Sequence, residues 1–175
     1  MNMKLKDFMC FLQENKLVDL QSLLNKDEVG CINRLKLQKY VYLAQTCFNN
    51  DFGYEFSVYS NGPYSPDLAN YYYETMDIKR INADIMKNDW KLDNDFTNRF
   101  LDFFKDKELE WLVVASTLID IHNYFEDEQE ILNKVYAMKS DYSKDYIDDV
   151  WNELKNMNLV HYESGLKLNN LLSVF

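Results

Sequence analysis

The chain has 175 residues, with 19 Lys and Arg against 29 Asp and Glu, and a formal net charge of -10. Hydrophobic residues make up 47% and charged residues 27%, which fits a folded globular protein and excludes wholesale disorder. Only 2 Pro and 4 Gly accompany 15% aromatic residues, so few chain breakers argue for long helices and against a β-sandwich or barrel.

Residues 3–25 read as one or two helices. Leu5, Phe8, Met9, Phe11 and Leu12 recur at helical spacing and Leu17, Leu20, Leu23 and Leu24 follow, with a break near Asn15-Lys16 and a stop at Gly30. Residues 32–48 give the clearest helix, with Leu37, Tyr40, Val41, Ala44, Cys47 and Phe48 on one stripe. The helix also carries Arg34, Lys36 and Lys39, with Lys36 and Lys39 off the stripe, in a stretch without acids from Val29 to Asn50, and they read as a solvated basic face. The alternation from Tyr54 to Tyr59 marks a strand. Gly62 and Pro63 then shape a tight turn. Ser65 as cap, Pro66 at the first helical position and Asp67 beside the positive helix end predict a helix to about Met76.

Residues 77–93 fit strand or short helix at Ile78, Ile81 and Ile85, and a second strand at Trp90-Lys91-Leu92. Residues 94–105 and 107–124 read as helices. The second holds Trp111, Leu112, Val114, Ala115, Leu118 and Ile119 and is apolar enough to be the central buried helix. Helices at 128–139 and 144–157, the latter capped by Ser143, precede a hairpin with a Ser164-Gly165 turn. The expected fold is mainly α with a small β component. It forms a single domain over 1–175, with a helical portion over 1–125 and a winged-helix-like portion over 126–175.

In a DNA-binding winged helix, the helix at 144–157 would enter the major groove. Its outward side chains include Asp145, Asp148, Asp149 and Glu153, against Lys144 and Lys155. Four carboxylates facing phosphates disfavour nucleic acid as a partner and favour a protein contact. No apolar run reaches the length of a membrane span, and the segment from Met1 to Asp7 lacks the apolar core of a signal peptide, so a cytoplasmic protein is expected. Cys10, Cys31 and Cys47 are odd in number and widely spaced, which suits reduced thiols better than disulfides or a zinc site. There is no GxSxG, HExxH, P-loop or GxGxxG. His122 on its apolar helix reads as a hydrogen-bonded structural residue, and His161 as exposed. No enzyme activity, cofactor or metal is expected.

The segment from Lys36 to Gln45, KLQKYVYLAQ, is followed by Phe56 to Leu68, FSVYSNGPYSPDL. Over residues 35–72 this resembles the Panacea-domain proteins (SocA-like antitoxins) and the related YwgA-like proteins of bacteria and archaea. Their pattern is a KLQKLxYxxQ-type helix, a strand, and a GPxxxxL turn that opens the next helix. One departure lies at Thr46-Cys47-Phe48-Asn49, where Panacea antitoxins commonly carry a histidine. The resemblance implies a mainly helical domain with a small β element that binds and neutralises a protein, with no catalytic set.

Around the turn, Tyr59, Tyr64, Tyr71, Tyr72 and Tyr73 supply a rigid aromatic surface. Three consecutive tyrosines cannot all face inward on a helix, so Tyr72 or Tyr73 is expected outside. The expected function is a non-enzymatic interaction module, antitoxin-like or adaptor, whose partner is a basic toxin or nuclease. Tyr59, Tyr64, Tyr72, Tyr73, Asp145, Asp148, Asp149 and Glu153 are its candidate contacts. Two rivals are a winged-helix transcriptional regulator, reaching DNA through Arg34, Lys36 and Lys39 with Lys79 and Arg80, and a phage or mobile-element counter-defence inhibitor (anti-CRISPR-like) whose acidic surface mimics nucleic acid.

Overall fold

Apolar side chains at helical spacing form α1 (Leu5–Glu14), which buries Phe8, Met9, Cys10, Phe11 and Leu12. The structure, a computed structural model, describes residues 4–160. The helix ends where expected. Asn15 closes it, and Lys16 takes a left-handed backbone with φ 57°. A 3-10 turn at Leu20–Ser22 follows, its start capped by Asp19.

The next helix, α2 (Glu28–Phe48), begins four residues earlier than the apolar stripe indicates. Asp27 caps it by accepting from the Gly30 amide at 2.8 Å, so Gly30 lies inside the helix rather than ending the region before it. Its role is steric: a Cβ at Gly30 would stand 2.3 Å from the Asn25 carbonyl oxygen.

Strands β1 (Ser57–Tyr59) and β2 (Gly62–Tyr64) form a two-stranded antiparallel hairpin, with Tyr59 opposite Gly62 and Ser57 opposite Tyr64. The strand is thus shorter than the alternation predicts, because α2 holds Tyr54 to Phe56. The Gln45 amide donates to the Tyr54 carbonyl at 2.9 Å, and Phe56 meets Tyr42 edge-on at 5.3 Å. Gly62 and Pro63, expected as the turn, are themselves paired. The turn is Ser60-Asn61, and Gly62 leaves it at φ 83°.

Helix α3 (Pro66–Asn70) starts on its predicted cap: the Ser65 hydroxyl accepts from the Leu68 amide at 3.4 Å. It does not run to Met76 as an α-helix. From Tyr71 to Thr75 it widens into a π turn, closed by the Met76 amide on the Tyr71 carbonyl at 2.9 Å. Helices α4 (Ile78–Lys87), α5 (Asn94–Phe104), α6 (Leu109–His122), α7 (Glu128–Met138) and α8 (Lys144–Asn156) complete the described chain. Trp90-Lys91-Leu92 forms no strand. Trp90 packs against Phe11 of α1 at 6.4 Å, where the described residues offer no strand edge to pair with. The predicted hairpin beyond Leu159, and His161 with it, lies outside the described residues.

The fold is mainly α, and α6 is its central buried helix, with every residue from Trp111 to Asp120 buried. A second core feature is an aromatic hub. Phe100 is fully buried and lies within 6 Å of Phe8, Phe11, Tyr40, Phe48, Phe96 and Phe104, so it ties α5 to α1 and α2. Phe100→Ala is expected to cost about 3–5 kcal/mol in urea unfolding. A loss below about 1 kcal/mol would mean that the ring is not the hub.

Candidate functional site

The site is built by three side chains of α2 that look polar in sequence yet point inward. Gln38 is fully buried and clasps Ser65 as a second backbone strand would: its Nε2 donates to the Ser65 carbonyl at 3.0 Å, and its Oε1 accepts from the Ser65 amide at 2.9 Å. Lys39 is fully buried, and its Nζ donates to the Pro63 carbonyl at 2.6 Å. Gln45 accepts from the Phe52 and Tyr54 amides at 3.2 and 3.3 Å. The spacing 38, 39, 45 is therefore the footprint of residues 52–65 on one helix.

A second buried lysine holds the other end of the hairpin. Lys139, just past α7, donates its Nζ to the Ser60 carbonyl. The sheet is also pressed onto α6, since a Cβ at Gly62 would stand 2.9 Å from Thr117 Oγ1 and 3.2 Å from the Val113 carbonyl oxygen. Only glycine meets both this approach and the positive φ.

This clamp orders a row of four tyrosines. Tyr59 meets Tyr64 edge-on at 5.6 Å; the Tyr72 hydroxyl lies beside Tyr64 and the Gln38 amide; Tyr72 and Tyr73 rings are 4.8 Å apart. The inner pair is packed, Tyr72 being 3% exposed and Tyr64 half-buried. The outer pair is open, Tyr59 at 54% and Tyr73 at 53%.

The structure brings together the turn residues Gly62, Pro63, Ser65 and Pro66 with all four candidate tyrosines, but it withdraws Tyr72 from any surface role. It also dissolves the basic face. Lys39 is in the core, Arg34 donates to the Leu23 and Asn25 carbonyls at 2.6 and 2.7 Å, and only half-buried Lys36 is left beside them. A buried ammonium needs acceptors, and the hairpin carbonyl of Pro63 supplies one to Lys39. On α8, Asp145 and Asp149 are exposed. Asp148 instead accepts from the Tyr136 hydroxyl, and Glu153 pairs with Lys107 and accepts from Trp111 Nε1 at 2.6 Å. These two carboxylates join helices rather than face a partner.

Sequence reasoning passed over Gln38, Gln45 and Lys139. The first two were visible as fixed points of the quoted motif. Lys139 gave no signal, because a lysine at a helix C-terminus is ordinary. Among the described residues no cluster of His, Cys, Asp or Glu could hold a metal ion, and no helix is long and apolar enough to cross a membrane. No family model matches the chain, and neither a curated protein nor a solved structure shows significant similarity to it.

Burial pulls the Lys39 ammonium down to about 7, and Lys139 nearby adds to the effect. Between that value and the ordinary 10.5, the unfolded chain holds a proton that the folded chain lacks, so stability rises with pH across this interval. Urea midpoints measured upward from about pH 7 are expected to climb, and Lys39→Met to flatten the climb. An equal climb in Lys39→Met would assign it to another group.

Proposed function

We propose that the protein is a non-enzymatic interaction module that binds a basic protein partner through the outer tyrosines of the hairpin row, in the manner of an antitoxin or adaptor. The observation that carries this reading is the pair Tyr59 and Tyr73. Each is about half exposed, and each rests on a more buried tyrosine fixed by the clamp. A half-exposed tyrosine offers a large amphipathic area, and prior fixing lowers the entropy cost of binding. A net charge of -10 favours and steers a basic partner. Exposed Asp145 and Asp149 on α8 work against DNA phosphate at the position where a winged helix would read it. The likeness of residues 35–72 to Panacea-domain antitoxins points the same way.

The test is co-expression with the products of neighbouring genes, followed by measured affinity for any protein retained. Tyr73→Ala and Tyr59→Ala are each expected to weaken binding about tenfold or more. Tyr124, 75% exposed beyond α6, serves as the control whose removal changes little. Affinity that survives both tyrosine changes, or falls equally with Tyr124→Ala, would place the contact elsewhere.

A further inference from the structure

On a different part of the molecule, α1, the segment after α4 and the start of α5 enclose an open cleft of about 450 Å³. This lies within the size range of small-molecule sites. Its wall includes the rings of Phe11 and Trp90, which are 6.4 Å apart, and around them stand Asn15, Asn88, Asn94 and Thr97. Among the described residues no carboxylate lines it, although the chain has 29 acidic residues.

Trp90 makes the cleft more than a gap between helices. The chain has three tryptophans. Trp111 Nε1 donates to Glu153 at 2.6 Å and Trp151 Nε1 to Glu128 at 2.7 Å. Trp90 Nε1 is buried with no hydrogen-bond partner among the described residues. The Trp90 N–H is thus an unused donor on a lining residue, and a bound acceptor would satisfy it. Asn15 has committed its Nδ2 to the Phe11 carbonyl, and the Thr97 hydroxyl donates to the Asn94 carbonyl. That leaves Asn15 Oδ1 as an acceptor, with the exposed amides of Asn88 and Asn94 at the rim.

We propose that this cleft binds an uncharged planar heterocycle of nucleobase or nucleoside size. An indole offers a stacking face that any base can use, and a side-chain amide matches the paired donor and acceptor on a base edge. Charge sets the limit on the ligand. Lys91 lies in the lining, but exposed Asp89 and Asp93 flank it in the chain, so a phosphate gains little there. The cleft therefore selects a nucleoside over its monophosphate.

The experiment is a nitrogen-15 titration of the full chain with adenosine and with uridine, reading the three indole N–H resonances. Adenosine monophosphate and glucose serve as comparison ligands. A saturable shift of the Trp90 resonance with at least one nucleoside is expected, while those of Trp111 and Trp151 hold still and confirm the fold. The monophosphate should bind more weakly, and glucose not at all. Trp90→Phe keeps a stacking ring but removes the donor together with its resonance, and is expected to weaken binding about tenfold by calorimetry. Asn88→Asp, at a rim position with φ 52° that aspartate tolerates, is expected to weaken it about fivefold and leaves the core intact. A Trp90 resonance unmoved by either nucleoside into the millimolar range would overturn the proposal. So would an equal response to glucose, tighter binding of the monophosphate, or unchanged affinity in both variants.

Discussion

The Lys39 ammonium rests on the Pro63 carbonyl at 2.6 Å with no carboxylate in salt-bridge range among the described residues. Burying a charge is costly, and it persists only where surrounding packing and hydrogen bonds over-determine the arrangement. Here the neighbours do so. Gln38 clasps Ser65 one residue away, Lys139 takes the Ser60 carbonyl, and Gly62 sits against α6. A hairpin of two three-residue strands would be marginal by itself. Clamped at its turn, its second strand and the following helix cap, it becomes a rigid shelf. The tyrosine row depends on that rigidity, since Tyr64 belongs to β2 and Tyr72 reaches Gln38.

The acidity of the chain has two distinct uses. Asp19, Asp27, Asp77, Asp93 and Asp127 each accept a backbone amide at a helix or turn start, where a carboxylate satisfies an orphan donor and complements the helix dipole. Glu128 and Glu153 hold Trp151 and Trp111 and pair with Lys155 and Lys107, which locks α7 and α6 to α8. These acids belong to the architecture. The charge open to a partner is the smaller set left on the surface, Asp145 and Asp149 among it. Net charge alone therefore overstates how acidic a binding face is.

Helix existence was legible at most apolar faces with a cap in front, as at Ser65 and Ser143, but α4 was left open between strand and helix although Asp77 caps it. Boundaries failed where backbone packing decided them. Gly30 reads as a stop in sequence because glycine weakens helices, yet tertiary contact needs its missing side chain. The strand was misjudged because periodicity cannot tell an extended segment pinned by Gln45 from one paired to a neighbour. The candidate site was half legible. Its turn residues and tyrosines stood out by clustering in a chain poor in Gly and Pro. Which tyrosines face solvent turned on the π turn after Asn70, and a single sequence carries no signal for that. Lys39 was misread for a general reason: a lysine off the apolar stripe is ordinarily solvated, and only the hairpin carbonyl 24 residues on reverses its direction.

Native-state hydrogen exchange at the Ser65 amide tests the clamp most directly, because that N–H has the Gln38 side chain as its acceptor at 2.9 Å. In the unaltered chain it is expected to exchange as slowly as the central amides of α6. In Gln38→Leu its protection, and that of Tyr64, should collapse while α6 stays protected. Exchange of Ser65 at the rate of an open loop in the unaltered chain would contradict the account. So would undiminished protection after Gln38→Leu.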